Sequence, residues 1–344
     1  MILILNVVTL PLLALLCSLI LAPSTQYWVE RESYVMGTTL RIHLAAPSRP
    51  EGIQAIEDAF EAVRRVDALL STWRDDSEIA RINQAPVGRP VLLSPVLYPL
   101  LRDAADWVRL TEGAFDPAIG SLIDAWDLRG QGRIPSRAAL ARARAAAGLG
   151  HFVFSDSAQS VSRTDSASWL DTGGFGKGVA LDEARLALLR RQVTAARLNF
   201  GGQVLVLGRD PSGSDWTVPV AHPAHRAEPA AWLHLRDRSA STSSQSERFI
   251  TVGGKHLGHI LDPRSGLPVP AWGSVTVVAE DPAAADAVST ALLVLGPEAG
   301  SKWAEGREDM GVLFLLERNG RVVPRWNHAL ERYLVMDSTF SQGG

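Results

Sequence analysis

An α+β fold built in layers, with helices mainly in the first half and a β-rich second half, is predicted by three observations. Apolar residues three and four positions apart recur before residue 148, the spacing of helices that bury one face. Short β-like runs crowd the chain after residue 151. The two textures are segregated, as in a layered α+β domain, rather than alternating as in regular βαβ units. Of the 344 residues, 46% are apolar and 21% charged, enough for a sizeable core and against a disordered or polytopic chain.

Residues 1–22 are almost continuously apolar and carry no charged side chain, so they read as a signal peptide or membrane anchor. Lipidation at Cys17 is disfavoured, because Ala14-Leu15-Leu16 lacks the small residue usual before a lipoprotein cysteine. The expectation is export to the periplasmic side of a bacterial inner membrane, with one domain over 27–338. Residues 27–46 read as a strand pair or one long bent strand interrupted at Met36-Gly37-Thr38. Ile53, Ile56, Phe60, Val63 and Leu70 mark an amphipathic helix. Ser94-Pro95 opens a second, and residues 136–148 a third. Strands are expected at 151–154, 168–170, 196–200, 203–208, 215–220, 231–236, 249–252, 257–261 and 273–279. Helices are expected among them at 176–192 and after them at 282–295.

Net charge is −3, so no global basic field exists to hold nucleic acid. A single cysteine excludes a disulfide framework and a cysteine-ligated metal cluster. Only Lys177, Lys255 and Lys302 are lysines among 34 basic residues, so a lysine inside a motif draws notice.

Three segments carry chemistry. Asp171-Thr172-Gly173-Gly174-Phe175-Gly176-Lys177-Gly178 runs through a glycine turn into a helix, where backbone N–H groups can approach a phosphate. It is neither a Walker loop nor a dinucleotide fingerprint, and a plain strand-to-helix turn is the competing reading. Asp281-Pro282 caps a helix on which Asp286 and Thr290, four apart, share one face. A carboxylate above a hydroxyl is a hard oxygen pair suited to Mg²⁺, against the alternative of an ordinary polar pair on a solvated face. His259 is expected on a strand ending at Asp262, with Arg264 on the turn that follows. A histidine there can serve as a general base or be structural. Ser241-Thr242-Ser243-Ser244 and Asn199-Phe200-Gly201-Gly202 say only that loops are present.

Taken in order with Met36-Gly37-Thr38 and Gly113-Ala114-Phe115-Asp116-Pro117, these segments resemble the ApbE family, the FAD:protein FMN transferases of bacterial envelopes. The resemblance spans residues 36–290 and implies the T-fold-like architecture of that family. It implies Mg²⁺-dependent transfer of the FMN half of FAD to a Thr or Ser hydroxyl of an acceptor protein, with release of AMP. It further implies metal ligands at Gly174, Asp286 and Thr290, and flavin-nucleotide contacts at Met36, Trp73, Ala114, Phe115, Asp116, Asp171, Lys177 and Ile260. His259 matches the histidine that supports transfer. The acceptor implied is an envelope electron-transfer protein. Thr172-Gly173, Phe175 and Ser244 depart from the usual residues of the family, which implies an isoalloxazine pocket of different shape. Two other functions fit the same residues: Mg²⁺-dependent hydrolysis of FAD to FMN and AMP, and non-catalytic flavin binding in the envelope.

Overall fold

The computed structural model describes residues 26–245, 249–252 and 255–335; the leader and residues 336–338 lie outside them. Strands β1 (Tyr27–Val35) and β2 (Thr38–Ala46) form a hairpin, which settles the first segment as a strand pair. Its two-residue turn is Met36-Gly37, both with positive φ (49° and 77°), the backbone that matches the twist of tightly joined strands. The helical half follows as α1 (Arg49–Leu70), α2 (Glu78–Gln84), the short strand β3 (Val91–Leu92), α3 (Leu97–Leu110), α4 (Gly120–Trp126) and α5 (Arg137–Ala146). Then come β4 (Phe152–Ser155), β5 (Ser160–Arg163), α6 (Gly176–Arg190), β6 (Ala196–Phe200) and β7 (Gln203–Leu207). The β-rich remainder holds β8 (Trp216–Ala221), β9 (Pro229–Leu235), β10 (Arg238–Ser244), β11 (Phe249–Val252), β12 (Lys255–Gly258) and β13 (Gly273–Ala279). The last elements are α7 (Pro282–Ala304), β14 (Gly311–Arg318), β15 (Arg321–Trp326) and β16 (Leu334–Val335).

One antiparallel eight-stranded sheet, in the order β1-β2-β6-β7-β10-β13-β14-β15, organises the molecule. Alternation along its strands sends side chains to two cores. On β14, Val312, Phe314 and Leu316 join the core beneath α1, α6 and α7, while Leu313 and Leu315 join a second core. That second core is closed by the small sheet β16-β9-β8, giving three layers in all. The β3-β5-β4 sheet lies beside α3, where Tyr98 meets Phe154 edge-on.

Several expectations need correction. No strand forms at 168–170, because the side chain of Asn83 takes both ladder bonds of Leu170: its Nδ2 donates to the carbonyl at 2.9 Å and its Oδ1 accepts the N–H at 2.8 Å. Ser241–Ser244 is not a loop but part of β10, paired with β13 from Ser239↔Ala279 to Ser244↔Ser274. Helix α3 starts at Leu97, its N–H capped by the Ser94 hydroxyl at 3.1 Å. Helix α7 runs past residue 295 to Ala304 by kinking at Gly296 (φ 76°) before Pro297. His259 lies one residue beyond β12, not on it.

Candidate active site

The twelve residues singled out above all line one cleft of about 790 Å³. That is inside the range of roughly 300–1,000 Å³ found for small-molecule sites. The elements that meet there are the β1–β2 turn, the ends of α1 and α4, the segment 114–119, the N-terminus of α6, β10, the segment 259–263 and α7.

Asp286 forms the floor. Its side chain is 4% exposed, and the Lys177 ammonium stands 3.2 Å and 3.4 Å from its two oxygens. The Gly178 N–H donates to Oδ2 at 3.2 Å and the Ser241 hydroxyl to Oδ1 at 3.3 Å. Burial pushes this carboxyl above its ordinary range, while Lys177, Gly178 and Ser241 pull it down. Burial wins because all four contacts are long for charge-assisted hydrogen bonds. Gly178 is required where it stands: a Cβ there would lie 2.2 Å from the carbonyl oxygen of Pro282. Its absence lets the first turn of α6 press against the start of α7 and reach Asp286.

Around that carboxylate lies a set of hard oxygen donors. Thr290, one turn along α7, donates its hydroxyl proton to the Asp286 carbonyl at 3.1 Å and keeps lone pairs to offer. A Cβ on Gly174 would lie 3.7 Å from the Thr290 methyl carbon and 3.1 Å from the Phe115 ring, so Gly174 backbone and Thr290 are neighbours. Beneath them Ser243 and Ser289 share a hydrogen bond of 2.8 Å, and Ser289 reaches Ser241 at 3.3 Å. One carboxylate and one hydroxyl beside the Gly174 backbone are oxygen donors of the kind that hard divalent cations take. Among the described residues no cluster of three His, Cys, Asp or Glu side chains forms a self-sufficient metal cage.

Helix α6 begins at Gly176 without a side-chain cap, so its positive end faces the cleft beside Lys177. Asp116 accepts the N–H groups of Ala118 (2.8 Å) and Leu149 (3.0 Å); burial nevertheless pushes its carboxyl up. At the mouth, Trp73 is 73% exposed. The guanidinium of Arg129 lies 4.6 Å from the Trp73 ring and 4.5 Å from that of Trp169, and donates to Asp171 at 2.8 Å. Arg129 thus ties an exposed aromatic face to a cleft carboxylate, a role that Leu128-Arg129-Gly130 does not advertise in the sequence. Gln203, which lines the cleft and donates to the Pro282 carbonyl at 2.8 Å, is equally invisible, since it belongs to no motif. Phe175, expected to reshape the pocket, does not line it: the ring is fully buried against Phe115 and Trp107.

The ApbE family model matches residues 36–314. An FAD:protein FMN transferase of Klebsiella pneumoniae is 32% identical over 288 residues, which cover 81% of this chain and 89% of that protein. One from Treponema pallidum is 29% identical over 335 residues, 90% of each chain. Among solved structures, the ApbE protein of Thermotoga maritima superposes with a TM-score of 0.81 at 28% identity, over 89% of this chain and 99% of that one. The apo flavinyl transferase ApbE of Pseudomonas stutzeri gives 0.79 at 26%, over 89% and 96%. Fold, cleft and sequence agree: this chain belongs to the ApbE family.

Proposed function

We propose that this chain is an FAD:protein FMN transferase, moving the FMN half of FAD onto a Thr or Ser hydroxyl of an acceptor protein. The observation that carries this reading is the convergence of a buried carboxylate, a lysine, a helix N-terminus and a histidine on one flavin-sized cleft. In the reaction the acceptor oxygen bonds to the FMN phosphorus, the anhydride P–O bond breaks, and AMP leaves with the bridging oxygen. His259 takes the hydroxyl proton as attack proceeds. Lys177 and the open end of α6 offset charge on the phosphoryl oxygens. Met36, Ala114, Phe115 and Ile260 supply the apolar part of the flavin-nucleotide site, Asp116 and Asp171 its polar contacts, and Trp73 an aromatic face.

Mg²⁺ fits the oxygen set of Asp286, Thr290 and the Gly174 carbonyl, and when bound it would supply the Lewis-acid charge that pyrophosphate cleavage needs. The acceptor we infer is an electron-transfer protein of the bacterial envelope. The apolar leader supports placement at the periplasmic side of the inner membrane, with 27–338 as the catalytic domain. No helix among the described residues is long and apolar enough to cross a membrane.

The test uses an acceptor identified in the source organism as a flavin-fluorescent protein band and then prepared in its unflavinylated form. Incubated with enzyme, FAD and Mg²⁺, it should gain FMN on one Thr or Ser, located by peptide mass spectrometry. Free FMN and AMP with an unmodified acceptor would identify the chain as a hydrolase instead.

A further inference from the structure

Gln245 directly follows β10 and is 5% exposed. Its Nε2 donates to the carbonyl of Ile260 at 2.8 Å and to that of Val269 at 2.9 Å, using both amide protons. Its Oε1 accepts the Ile260 N–H at 3.1 Å. The Val269 N–H in turn donates to the Ile260 carbonyl at 3.0 Å, so the carboxamide closes the open end of the loop 260–269 as another strand would. On the other side of His259, a Cβ at Gly258 would lie 1.9 Å from Oε1, so the amide rests directly on that glycine. Gln245 therefore holds the backbone at residues 258 and 260, the two neighbours of His259.

Its own position is fixed by β10, which is locked to β13 up to Ser244↔Ser274 and carries the Ser241 hydroxyl that bonds Asp286. A single strand thus sets both the carboxylate on the cleft floor and the loop that bears the histidine. We propose that Gln245 is the positioning residue for His259: it does not touch the reacting atoms, but places the imidazole where the incoming hydroxyl must lose its proton. This rests on the reading of His259 as the general base.

The experiment is a double-mutant cycle on the full enzyme, measuring single-turnover FMN transfer from saturating FAD and Mg²⁺ to the unflavinylated acceptor. Gln245→Met keeps length and volume but removes both donors and the acceptor. It should slow transfer by about 10²-fold, the effect of displacing a catalytic group by an ångström. FAD affinity, read by flavin fluorescence, should hold within about threefold, and adding Gln245→Met to His259→Ala should lower transfer by less than about threefold further. Gly258→Ala pushes the same carboxamide away from the opposite side and should reproduce the slow transfer, which keeps the test decisive if the methionine variant folds poorly. Equal losses from Gln245→Met in the wild-type and His259→Ala backgrounds would overturn the positioning role alone. Wild-type transfer by His259→Ala would overturn the base assignment, and the positioning role with it.

Discussion

Replacing Gly178 by alanine tests whether the cleft floor depends on the close crossing of α6 and α7. Two effects oppose each other. Alanine is the better helix former by about 1 kcal/mol. Against that, the new methyl carbon would lie 2.2 Å from the Pro282 oxygen and 2.5 Å from the Ala283 Cα. Both are backbone atoms, so no side-chain rotation relieves the contact, and α7 must retreat by roughly 1 Å. Overpacking of this kind costs about 1–3 kcal/mol. Contacts this short against backbone put the cost near the upper end of that range, so about 1–2 kcal/mol remains after the helix gain, and Gly178→Ala should lower the melting temperature by roughly 2–3 °C. The same retreat carries Asp286 away from the Gly178 N–H, now 3.2 Å from its carboxylate. Misplacement by about 1 Å should slow AMP release about 10²-fold. Calorimetry and an AMP-release assay read the two effects. A variant that melts like wild type and releases AMP at the wild-type rate would refute the crossing argument.

Asp286→Ala should abolish AMP release and the Mg²⁺-induced rise in melting temperature, yet leave the fold intact. Its partner Lys177 keeps 31% of its side chain exposed and can turn to water, so no buried charge is stranded; a collapsed circular-dichroism spectrum would contradict this. Asp103 is pushed above its ordinary range by partial burial, then by Asp281 and Asp106. A raised folded-state value means stability is complete at acid pH and declines as pH rises through it. Asp103→Asn should therefore be slightly more stable at neutral pH, an advantage that solvent screening keeps small and that fades below the usual carboxylate range. A gain that persists in acid would point to packing instead. A chain starting near Ser24 should bind FAD and modify the acceptor in vitro but stay cytoplasmic in cells; loss of activity in vitro would show that the leader belongs to the fold.

What the sequence conveyed well is what local rules control. Asp281-Pro282 caps α7 as its residue types require, with the Asp281 side chain accepting the Ala283 N–H at 2.8 Å. The four-residue spacing does place Asp286 and Thr290 on one face of α7 and into the cleft. What it concealed is tertiary. The serine-rich stretch 241–244 reads as loop by composition, yet it is a buried strand whose hydroxyls find partners on α7 and β13. Strands β14 and β15 complete the sheet but carried no motif. At Leu170 and Ile260, the amides of Asn83 and Gln245 stand where a strand partner would, from 87 and 15 residues away. No periodicity encodes such a substitution, so one predicted strand vanished and His259 moved off another.

The central claim is that the cleft transfers FMN to a protein hydroxyl, and the stoichiometry of AMP tests it most directly. Enzyme, FAD and Mg²⁺ are incubated with the acceptor while AMP is followed by chromatography and modified acceptor by intact-protein mass spectrometry. Transfer predicts one AMP for each FMN esterified to the acceptor, with no AMP from Asp286→Ala. AMP formed in excess while the acceptor keeps its unmodified mass would contradict it.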